Sequence, residues 1–125
     1  MKTLGKEGLL SKEKLEVKKV ELDKDTCVFV RELTATEKDK LEQSMVTVDM
    51  NEKDKSKAVT TSLENFKAKL VALAVCNEKG ESLLQFEDYK TLGNSMSSKR
   101  MDKIVEAAQS LNKITEEEKE SIIKN

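Results

Sequence analysis

Val59, Leu63, Phe66, Leu70 and Leu73 fall at steps of four and three, so a helix would carry all of them on one face. Toward the end of that ladder, Leu70-Val71-Ala72-Leu73-Ala74-Val75-Cys76 has no charge on any side. A helix that is apolar all round is buried all round. The spacing therefore predicts a helix over 57–76, with its later half in the middle of the fold. Asn77 and Gly80 supply its stop signals.

Upstream the period changes. Leu15 and Val17 share one parity and Val20 and Leu22 the other, which predicts a bulge or break near Lys18-Lys19. After the polar Asp23-Lys24-Asp25, Cys27-Val28-Phe29-Val30 is rich in strand-forming residues. Two such runs around a polar tip predict a hairpin over 15–33, which must pack on helices to be stable. Thr34 and Glu37 have the spacing of a capping box, so a helix is expected over 35–48, with Leu41, Met45 and Val48 on its apolar face. Leu4, Leu9 and Leu10 predict no more than a short helical turn, because Gly5 and Gly8 disfavour a long one. Residues 49–57 are polar and without apolar period, and are expected to form a mobile connection open to proteolysis.

Beyond Gly80, Leu83 to Phe86 reads as short and extended. A helical turn or two is expected over 87–92, closed by Gly93. A further helix over 95–111 carries Met101, Ile104, Val105, Ala108 and Leu111 on one face and ends at Asn112. Thr115 and Glu118 form a second capping-box pattern, starting a last helix over 115–124 with Ile122 and Ile123. The expected fold class is α+β, mainly α. An N-terminal β-hairpin packs on a bundle of about four to five helices, in a single domain spanning 1–125.

Composition narrows the chemistry. The chain has 125 residues and 38% of them are charged, so the core must be small and the surface densely solvated. Only 3% are aromatic, which leaves Leu, Ile, Val, Met and Ala to fill that core. With no histidine, Ser-His and Cys-His nucleophilic pairs and histidine metal sites are excluded. Gly5, Gly8, Gly80 and Gly93 make no phosphate-binding loop. Glu116-Glu117-Glu118 points in different directions on a helix, and Asp49, Glu52 and Asp54 lack the calcium-loop spacing. No metal and no cofactor is expected.

Net charge is −1 with both signs interspersed, and Lys53-Asp54-Lys55-Ser56-Lys57 is balanced by nearby acids, so no nucleic-acid face is expected. Cys27 and Cys76 lack the spacing of a metal or redox pair and are expected as buried free thiols in a reducing setting. The N-terminus lacks the apolar run of a signal peptide, and 70–76 is too short to span a membrane. What remains is a protein that presents surfaces. Leu111, Ile114, Ile122 and Ile123 are the candidate partner-binding residues, because a terminal helix this short needs docking, onto its own core or onto another chain.

Four pieces in order carry a family resemblance. They are Val28-Phe29-Val30-Arg31-Glu32-Leu33-Thr34, Leu70-Val71-Ala72-Leu73-Ala74-Val75 followed by Asn77-Glu78-Lys79-Gly80, Leu84-Gln85-Phe86-Glu87-Asp88 leading to Leu92-Gly93, and Ile104-Val105-Glu106-Ala107-Ala108-Gln109-Ser110-Leu111-Asn112 followed by Ile114-Thr115-Glu116-Glu117-Glu118. Together they resemble the tail assembly chaperones of long-tailed bacteriophages, particularly those of phages and prophages of Gram-positive hosts. The resemblance implies a non-enzymatic factor that coats the tape measure protein and assists tail tube assembly. Its expected partners are the tape measure protein and the tail tube protein, with self-association as a further expectation. Its expected location is the cytoplasm of the bacterial host, not the mature virion. Many such families also make a longer, frameshifted form. Two other classes stay open: a structural neck or tail component, and a small regulatory binding protein.

Overall fold

The structure, a computed structural model, describes residues 1–61 and 64–113. Leu4 and Gly5 precede, and Gly8 lies within, a single short helix, α1 (Lys6–Leu10), none of whose residues is buried. β1 (Val17–Glu21) and β2 (Cys27–Arg31) then form an antiparallel hairpin. Its tip is held by Asp23, whose Oδ1 accepts from the backbone N–H groups of Asp25 and Thr26, both at 2.9 Å. Those bonds hold the Asp23 carboxyl below its ordinary value.

No bulge interrupts the hairpin. Pairing runs unbroken from Val17 opposite Arg31 to Glu21 opposite Cys27. The two parities instead mark two covered faces. Val20 is buried and Leu22 packs on the core. Val17 lies on the other face, where its Cγ2 would sit 3.3 Å from a Cβ added at Gly80. Cys27, expected to be buried, is exposed, because it opens β2 beside the polar tip.

Thr34 caps α2 (Ala35–Gln43), and the capping box with Glu37 is complete. This helix stops earlier than the 35–48 expected. Val46-Thr47-Val48 is β-branched throughout and forms β3 (Val46–Val48). The polar segment after it is not a featureless connection. Asp49 N–H bonds to the carbonyl of Ala58 at 2.6 Å, and a helical turn, α3 (Lys55–Ala58), follows. Val59-Thr60-Thr61 then forms β4 (Val59–Thr61), antiparallel to β3. The helix expected over 57–76 is thereby divided. Val59 belongs to a strand, Leu63 lies outside the described residues, and Asn65 adopts left-handed backbone (φ 61°) immediately before α4 (Phe66–Ala74). Asparagine tolerates that conformation better than a β-branched residue.

α4 is the centre of the fold. Every residue in it but Lys67 is buried, and Leu70, Val71 and Ala74 are closed to solvent. Lys69 is buried because its Nζ donates to the carbonyl of Ser44 at 3.1 Å and lies 5.3 Å from the Tyr89 ring centroid. That carbonyl belongs to the C-cap of α2, where the helix end carries partial negative charge. Burial of the seven residues 70–76 extends past the helix. Val75 and Cys76 leave it to form β5 (Val75–Cys76), paired with β2, so Cys76 is a strand residue rather than a helical one.

The resulting sheet has the order β1-β2-β5, all antiparallel. A turn follows, in which Asn77 Oδ1 accepts from Lys79 and Glu81 and Gly80 takes φ +84°. After a 3-10 turn over Phe86–Asp88 comes α5 (Tyr89–Ser95). Gly93 lies inside α5 rather than ending it, and an added Cβ there would stand 3.8 Å from that of Ala68, an ordinary contact distance. The last described element is α6 (Ser98–Asn112), whose N-cap Ser97 accepts from Arg100 N–H. It buries Met101, Ile104, Val105 and Ala108 against α4, β1 and β2. The fold class is α+β, mainly α.

Candidate interaction surfaces

A polar junction fixes where the sheet, α2 and α6 meet. Arg31 ends β2 and is 6% exposed. Its Nη1 and Nη2 donate to Glu37 Oε1 and Oε2 at 2.8 and 2.7 Å, a two-pronged ion pair. Glu37 Oε1 also accepts from Thr34 N–H at 2.9 Å, so one carboxylate closes the capping box and neutralises the buried cation. Burial alone would raise the Glu37 pKa, but the bonds from Arg31 and Thr34 outweigh it and hold the carboxyl below its ordinary value. The bond to Glu37 pushes Arg31 the other way.

Asn112 joins α6 to the same place. Its Oδ1 accepts from Leu33 N–H at 2.7 Å, and its Nδ2 donates to the carbonyls of Ala108 at 2.9 Å and Arg31 at 3.4 Å. Asn112 thus satisfies backbone groups where β2 has run out of partners. Arg31 Nε and Gln109 Nε2 are buried with no hydrogen-bond partner among the described residues. Each such donor costs on the order of 1–3 kcal/mol.

Beside this junction lies an open cleft of about 970 Å³ lined by residues 12–17 and 78–82 together with Arg31, Thr34 and Glu37. Its lining includes Lys12, Lys14, Lys79 and Arg31 against Glu13, Glu16, Glu37, Glu78 and Glu81, a near balance that selects neither an anion nor a cation. Lys53-Asp54-Lys55-Ser56-Lys57 falls at the turn of the β3–β4 ribbon and in α3, where Asp49 and Glu52 also sit. Among the described residues no group of His, Cys, Asp and Glu is placed to hold a metal ion, and no helix is long and apolar enough to cross a membrane.

Among the described residues, the exposed large apolar side chains other than Met1 and Leu83 fall into two sets. Leu4, Leu9 and Leu10, on and beside α1, are 53%, 69% and 76% exposed. Val46 and Val48 share one face of β3, with Met50 just beyond, and all three are exposed. Covering a Val, Leu or Met side chain stabilises by roughly 1.5–3 kcal/mol. Either cluster could therefore contribute several kcal/mol to association before the cost of ordering the partners. Both stand apart from the core cluster, which excludes these residues.

The sequence-derived candidates are placed differently. Leu111 is half-buried and packs against the chain's own core. Ile114, Ile122 and Ile123, with the acidic Glu116-Glu117-Glu118, lie outside the described residues. Spacing does not reveal the ribbon stripe, because Val48 also fits a helical face with Leu41 and Met45. The β-branched triplets Val46-Thr47-Val48 and Val59-Thr60-Thr61 were the available signal for it. The exposure of Leu9 and Leu10 has no signature in spacing, since a short apolar turn reads the same docked or free. Comparison of the chain with family models, with curated proteins and with solved structures gave no match.

Proposed function

We propose that the chain is a non-enzymatic protein-binding factor, and specifically a bacteriophage tail assembly chaperone that binds the tape measure protein and assists assembly of the tail tube. One observation carries the binding role: the solvent-facing apolar sets Leu4, Leu9, Leu10 and Val46, Val48, Met50 on a densely charged chain. Exposed apolar residues gathered on a charged body are suited to covering apolar stretches of another chain. The choice of partner rests on the sequence resemblance, from which the host cytoplasm also follows as the site of action. No cofactor enters this role.

The test is co-expression with the tape measure protein of the phage or prophage that encodes the chain. The expected result is co-purification and a rise in the soluble fraction of the tape measure protein. Neither effect appearing would overturn the chaperone reading. An immunoblot of purified particles separates this role from that of a neck or tail component: the chaperone is absent, whereas a structural component stays.

A further inference from the structure

We draw no further inference here: the strongest candidate, the cleft between residues 12–17 and 78–82 beside Arg31, has its unpartnered donor, Arg31 Nε, sealed from solvent rather than open to a ligand, and nothing in the structure shows what would occupy it.

Discussion

Replacing Glu37 with Leu tests how far the fold depends on one carboxylate. The substitution removes two charge-assisted bonds to Arg31 and the bond to Thr34 N–H. Among the described residues Arg31 keeps only its bond to the carbonyl of Glu32, and it stays buried, with 7% of its side chain exposed. Stripping the partner from a buried ion costs about 3–5 kcal/mol. Losing a helix cap costs about 1 kcal/mol and is the smaller part. Against a total of roughly 5–15 kcal/mol for a domain of this size, the loss is severe.

Urea unfolding followed by circular dichroism measures it. With a slope near 2 kcal/mol per molar, the midpoint should fall by about 1.5–2.5 M. Thr34→Ala, which removes the hydroxyl acceptor but leaves the ion pair, should cost only about 1 kcal/mol. The double variant Arg31→Met with Glu37→Leu should be more stable than Glu37→Leu alone, because it removes the stranded cation. The sign of the pH dependence follows from the lowered Glu37 pKa. The stability it contributes is fully present above its ordinary value of 4.5 and is lost as pH falls through the lower folded value. The gap between the native chain and Glu37→Gln should therefore be widest near neutrality and close in acid. If Glu37→Leu cost no more than Thr34→Ala, or adding Arg31→Met to Glu37→Leu recovered no stability, the junction would not hold the fold as argued.

Three further outcomes follow from other parts of the molecule. Gly80→Ala should destabilise by about 1–2 kcal/mol, because φ is +84° and the new Cβ would press on Val17, and thermal unfolding should show a drop of several degrees. Iodoacetamide followed by mass spectrometry should label the exposed Cys27 in the native state. Cys76, which is 1% exposed and whose thiol is pushed up by burial, should react only after unfolding; equal labelling rates would contradict the strand assignments. Leu9→Ser with Leu10→Ser should leave urea stability within about 0.5 kcal/mol, since neither side chain is buried, while weakening co-purification with the tape measure protein. A large loss of stability would mean that α1 docks on its own core.

Features whose causes are local could be read from the order of residues alone. Thr34 and Glu37 are three residues apart, and that spacing is enough to close a capping box whatever surrounds it. The uncharged run from Leu70 had no solvated face to offer, so its burial followed from composition. The face of α6 is set by the period of Met101, Ile104, Val105 and Ala108. Tertiary structure decided what two segments had to agree on. Val59 fits a helical ladder in isolation, yet it lies opposite Val48 in a ribbon, and left-handed Asn65 stands between that ribbon and α4. A strand's partner comes from elsewhere in the chain, so no local period encodes it. The same holds for Arg31 and Asn112. Their charge and polarity were visible, but burial beside Glu37 and capture of Leu33 N–H arise only when β2, α2 and α6 converge. Exposure of Leu9, Leu10, Val46 and Val48 was decided last, because whether an apolar residue finds cover depends on every other element of the fold.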